Sequence, residues 1–210
     1  MRIARSTLCL LILAWLALHV VPLDAKEAPR PAAGPLITIH APHAQQFELA
    51  MDEAELDWSR VPGAKGRALG TQATPAGSAR IMEREGMRAR AAFAPVDSLS
   101  ALQGMTAALQ AANPGADAYL VVYEPGRPKS KATRRLLTRE VGLVMEPGVD
   151  PHKAVAGLPV TDIRPVGGVS DGYVVNATDP IAALDLAHVL RQRSGVRHAY
   201  PLLRRQYVPR

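Results

Sequence analysis

Arg204 and Arg205 form a dibasic step near the end of this 210-residue chain, directly after its last apolar run. A guanidinium group pairs with a carboxylate through two parallel hydrogen bonds, so an exposed pair of arginines is what a cleft with acidic pockets grips before it cuts a chain. Arg204-Arg205 is the strongest functional candidate in the sequence, and Gln206 and Tyr207 follow it in the same C-terminal tail. Pro201 suits a strand end or an edge position, where the chain leaves a sheet as an extended peptide. The alternative is a solvated basic tail without a task.

The charge of the chain is concentrated in the same place. From Arg191 onward there are six arginines and no acidic residue; without them 19 of the 25 basic residues remain, against 19 acidic ones. The net charge of +6 is thus the charge of the tail. A localised excess with few aromatics, 4% of the chain, lacks the stacking surface that nucleic-acid binding uses, so no nucleic-acid partner is expected.

Other chemistry-bearing residues are sparser. His188 and His198 are candidate pH-sensing groups, since protonation of a histidine near a core loosens it. His40 and His43, followed by Asp52 and Glu53, lack the spacing of a dedicated metal site, so no metal and no cofactor is expected. Asn176-Ala177-Thr178 fits a glycosylation acceptor beside a helix cap, and no role is assigned to it. A Ser-His-Asp triad needs a nucleophile, a base and an orienting carboxylate. The nearest approach, GTQATP from Gly70 to Pro75, puts Gln72 where a nucleophile would stand and reads as a loop. The chain is not expected to be an enzyme.

The elements that position these residues begin after a leader. Arg2 and Arg5 precede an apolar run from Leu8 to about Val21, the pattern of a secretory signal peptide ending at Ala25, so a secreted or periplasmic chain with no membrane contact after signal removal is expected. Cys9 leaves with the signal, and the mature chain has neither disulfide nor thiolate chemistry. Residues 26–34 read as a disordered, proline-rich leader. Residues 35–125 read as a small α/β region. It holds the apolar bursts PLITIHA and QFELAM, a loop from Gly63 to Ser78, a strand pair around Gly86, a helix capped by Ser98 or Ser100 and stopped at Asn113-Pro114-Gly115, and a strand from Ala118 to Tyr123.

Residues 136–203 are more legible. Leu137 to Met145 is a strand with Val141, Leu143 and Met145 on one face. Asp150 caps a helix with Pro151 in its first position and Gly157 at its end. Two strands, PVTDIRPVGG and GYVVNA, flank a glycine-rich turn. Asp179 and Pro180 open a second helix that Gly195 ends, with Ile181, Leu184, Ala187 and Val189 or Leu190 as its apolar stripe. VRHAYPLL is the last strand. This order predicts an α+β, ferredoxin-like split β-α-β domain, a four-stranded antiparallel sheet with two helices on one face and the other face exposed.

The second region resembles the pro-domains of subtilisin-like serine proteases, above all the kexin-like bacterial precursors. The residues that carry the resemblance are LTREVGLVMEPGVDP, DPIAALDLAHVL with the glycine of SGV, and VRHAYPLLRRQ, in which Val196, Ala199 and Pro201 match the family's GVxxAxP strand. The likeness covers roughly residues 116–210. It implies a sheet face that packs on a catalytic domain and helps it fold, and a C-terminal segment, the basic linker 204–210, that lies in the substrate cleft until cut. The partner would be a subtilisin-like catalytic domain, in cis or in trans. Tyr207-Val208-Pro209 is similar to the opening of that family's catalytic portion, which places Arg210 a few residues into an enzyme whose motifs are absent from this chain. The competing expectation is a secreted, non-catalytic binding module whose basic tail and exposed sheet grip an acidic polymer or envelope surface.

Overall fold

The computed structural model describes residues 34–41, 43–60 and 79–205. The signal peptide, residues 26–33 of the leader, the loop from Gly63 to Ser78, Gln206 and Tyr207 lie outside the described residues.

Strand β1 (Leu36–His40) turns into β2 (Ala44–Asp57), and β3 (Ala79–Glu85) pairs with β4 (Arg88–Phe93) across the Gly86 turn. Helix α1 (Leu99–Ala112) leads into β5 (Asp117–Tyr123). Then come β6 (Arg134–Met145), the short helix α2 (Pro151–Val155), β7 (Asp162–Pro165), β8 (Gly172–Asn176), helix α3 (Pro180–Arg191) and β9 (Val196–Arg205). The caps are those the residue types dictate. Ser98 accepts from the Ala101 amide and Asp179 from the Ile181 and Ala182 amides, each cap contributing about 1 kcal/mol. Gly195, in the turn between α3 and β9, has φ +78°, and a Cβ there would stand 2.8 Å from Val149 Cγ1, so glycine is needed for both conformation and space.

The architecture is α+β, with an antiparallel sheet, but the sheet has nine strands rather than four. Its path is β3-β4-β2-β5-β6-β8-β7, with β1 on β2 and β9 on β6. The expected strand at Leu137 begins three residues earlier, at Arg134, and that extension does the joining: residues 134–137 pair with residues 120–123 of β5. Residues 35–125 therefore contribute to the same sheet as residues 136–203.

β2 and β6 are used alike. The first part of β2 pairs with β1 and its last part with β4, while β5 runs along its other edge with a bulge between Leu49 and Ala54. The first part of β6 pairs with β5 and its last part with β8, while β9 runs along its other edge with an irregularity between Leu137 and Val141. The neighbour orders β5-β2-β4-β3 and β9-β6-β8-β7 are consequently the same pattern drawn twice. The sequence carries the echo: Ser98 leads to Ala118-Tyr119 at the spacing at which Asp179 leads to Ala199-Tyr200, with Leu109 and Leu190 fully buried at corresponding points.

The three helices of the described residues cover one face. Leu102 and Leu109 of α1 pack with Ala54, Leu56, Leu120 and Leu137, and Ala183, Leu186, Ala187 and Leu190 of α3 pack with Val141, Leu143, Val175 and Ala199. Of the two alternatives for the α3 stripe, Leu190 is inside and Val189 is exposed. Ile181 and Leu184 point instead toward the first half's core, so α3 grips both halves. A buried leucine contributes about 1.5–3 kcal/mol relative to an exposed one, which makes these leucines the principal fasteners between helix and sheet.

Candidate functional site

The helix-free face of the sheet is where function can be sought, and its two halves differ. Side chains alternate between faces along a strand, so a residue flanked by core residues points to the opposite side. In the second half, Gly142 lies between the core residues Val141 and Leu143 and is in register with Val174 of β8 on one side and Tyr200 of β9 on the other. Arg164 of β7 extends the row beyond Val174. Val144, Val174, Tyr200 and Leu202 are half-buried, and His198 is exposed. A Cβ on Gly142 would stand 3.0 Å from Tyr200 Cε2 and 3.1 Å from Leu202 Cδ2. The glycine therefore leaves room for both side chains, and with Val144 and Val174 they form an apolar patch with Arg164 and His198 at its border, Tyr200 also packing against the first half's core.

The equivalent row in the first half is Arg90, Glu55 and Tyr119. Here the face is ionic and closed. Alternation along β2 puts Glu53, Glu55 and Asp57 on it, all at least 96% buried. Arg90 Nε lies 2.5 Å from Glu53, and Arg88 Nε 3.5 Å from Asp57 and 4.0 Å from Glu55. Arg134 of β6 reaches Glu55 at 3.6 Å. Arg204 of β9 reaches Asp57 at 3.6 Å and Glu140 at 3.9 Å, with its guanidinium 5.1 Å from the centre of the Tyr119 ring. Glu140 also accepts from Arg60 and Arg164, both at 2.9 Å. Asp117 completes the array, with Arg60 at 3.6 Å and Arg139 at 3.9 Å. Tyr119, Val121, Tyr123, Leu136 and Ala50 form a small apolar floor beneath it.

The electrostatics follow from burial and pairing. Burial pushes the Glu140 carboxyl upward, but the hydrogen bond and charge of Arg60, with Arg204 and Arg164, outweigh it and hold the group below the ordinary carboxylate range. Burial pushes the Tyr119 hydroxyl up to about 12, partly offset by the positive charge of Arg204. Tyr123 is raised too, by burial first and then by its hydrogen bond to Glu53 and that carboxylate's charge. Carboxylates paired in this way act as positioning charges; their chemistry is to hold arginines in place.

The residues singled out in the sequence are placed as follows. Arg204 and Arg205 belong to β9, in register with Leu136 and Arg135 of β6, so the dibasic step is part of the sheet rather than a tail beyond it. Arg205 is exposed, and the Arg204 side chain is 28% exposed. His188 sits on the outer surface of α3 within 3.0 Å of Gln192, whereas His198 is on the helix-free face, so the two are not brought together. His40 and His43 flank the β1–β2 turn, and Glu53 is held by Arg90. Among the described residues, no group of three His, Cys, Asp or Glu side chains is placed to hold a metal ion. The open face expected of residues 136–203 concerns the second half alone, where Val144, Val174, Tyr200 and Leu202 are half-buried; in the first half, for which the sequence carries no such expectation, arginines close the face.

Sequence reasoning missed the ionic array. Its signal was the alternation in Glu53-Ala54-Glu55-Leu56-Asp57-Trp58, which on a strand segregates three carboxylates from three apolar side chains. No protein-family model matches this chain, and neither curated proteins nor solved structures contain a match to it.

Proposed function

We propose that this chain is a non-catalytic pro-domain of a secreted subtilisin-like serine protease, assisting the catalytic domain to fold and inhibiting it until the C-terminal segment is cut. On this reading strands β6 to β9 with α2 and α3 are a ferredoxin-like split β-α-β unit, fused edge to edge with a first half of the same strand order. The observation that carries the proposal is the apolar patch of Val144, Val174, Tyr200 and Leu202 around Gly142, on the helix-free face of that unit and adjoining the strand that ends in Arg204-Arg205. A standard interface buries about 800 Å² per partner, a size one face of four strands supplies. Slow folding of a mixed-topology enzyme is the step a preformed template accelerates.

The test is refolding. Denatured subtilisin-like protease of the kexin type is diluted from guanidinium with and without micromolar chain from residue 26, and recovered activity is followed after the chain is removed. The proposal expects the chain to raise the yield. It fails if the yield is unchanged and micromolar protein does not slow the folded protease. Salt-sensitive binding to heparin in the absence of both effects supports the alternative, an acidic-polymer binding module.

A further inference from the structure

The ion-pair array and the dibasic step meet at a single side chain. Arg204 belongs to the second half, yet its guanidinium lies against Asp57 of the first half, bridges to Glu140 and covers the Tyr119 ring. Its backbone is paired with β6 through the registers Leu137–Leu203, Leu136–Arg204 and Arg135–Arg205, and the Leu203 side chain packs on the apolar core. An endoprotease binds several residues before the scissile bond as an extended, unpaired peptide. Leu202 to Arg205 cannot enter a cleft until they leave β6 and Arg204 leaves its carboxylates.

We propose that the contact of Arg204 with Asp57 and Glu140 is a latch that keeps the Arg204-Arg205 step closed to endoproteases that cut after paired basic residues, and that the first half of the molecule, through Asp57, carries its catch. The reaction gated is hydrolysis of the peptide bond after Arg205: water adds across the bond, leaving a carboxylate on Arg205 and an amino group on Gln206. The latch deepens the pro-domain reading by giving the first half a task, regulation of processing. Its test does not need the subtilisin-like partner, so the two readings fail separately.

When opening and closing are fast relative to cutting, the rate of cleavage follows the population of the opened segment. The full chain and a synthetic peptide of residues 200–210 are digested with trypsin, and cleavage after Arg205 is timed by mass spectrometry against cleavage after Arg193, an exposed residue beyond α3. The latch predicts that the folded chain is cut after Arg205 on the order of 100-fold more slowly than the peptide. Asp57→Asn, which keeps shape and removes the charge, is expected to raise that rate about tenfold with cleavage after Arg193 unchanged. Arg204→Lys, which keeps a basic pair but loses the reach to both carboxylates, is expected to do the same. Cleavage after Arg205 as fast in the folded chain as in the peptide overturns the latch. So does a variant that accelerates both sites equally, or one that accelerates neither.

Discussion

Tyr119 and Tyr200 occupy the same place in the two halves: each follows a buried alanine and faces the central strand of its half, Tyr119 opposite Glu55 and Tyr200 opposite Gly142. Yet Tyr119 is 3% exposed under Arg204, and Tyr200 lies half-buried on the open face. Tyr119→Ala is therefore expected to cost about 3–5 kcal/mol of stability, as for a core aromatic. Tyr200→Ala should cost clearly less and, on the pro-domain proposal, weaken binding to a subtilisin-like protease. Urea midpoints of the two variants, with inhibition titrations of the folded ones, check the asymmetry; equal losses of stability would refute it.

Gly142 supports the open face by having no side chain. In Gly142→Val the new Cβ must displace the Tyr200 ring and Leu202, at about 1–3 kcal/mol by analogy with overpacked cores. On the pro-domain proposal, binding to a subtilisin-like protease is then expected to weaken even at temperatures where the variant is fully folded. Circular dichroism and a binding titration on one sample separate the two effects.

Glu140 sets an acid limit. Its folded-state value lies below that of an unstructured carboxylate, so its contribution to stability is fully present above the unfolded value, near 4.5, and is lost as pH falls through the lower folded value. Glu140→Gln is expected to lower stability at neutral pH and to flatten the decline below about pH 4.5. Thermal melts from pH 7 to pH 3 test this; an unchanged acid slope would show that Glu140 is not linked to folding.

The legible parts of the sequence were those with local causes. Asp150-Pro151 and Asp179-Pro180 announced helix starts, Gly86 and Gly195 announced turns and stops, and alternation of Val141, Leu143 and Met145 announced a buried strand face. What was not legible depended on distant partners. Arg134 and Arg135 fall before the strand expected from Leu137, because nothing local shows that β5 arrives to pair there. The dibasic step looked free for the same reason: the carboxylates that hold Arg204 lie on β2 and mid-β6, far off in sequence. The repeated Ala-Tyr after each helix was a cue to the doubled strand order that only the pairings made readable.

On the pro-domain proposal the helix-free face of the second half docks on a subtilisin-like catalytic domain. The most direct measurement of that docking is a titration of such a protease's activity with the chain from residue 26, beside the same titration with Val174→Asp, which places a charge in the middle of the patch. Saturating inhibition by the parent chain is expected, with a loss of about 2–3 kcal/mol of binding, roughly 30- to 150-fold, in the variant. Equal inhibition by both proteins, or inhibition by neither, would contradict the proposal.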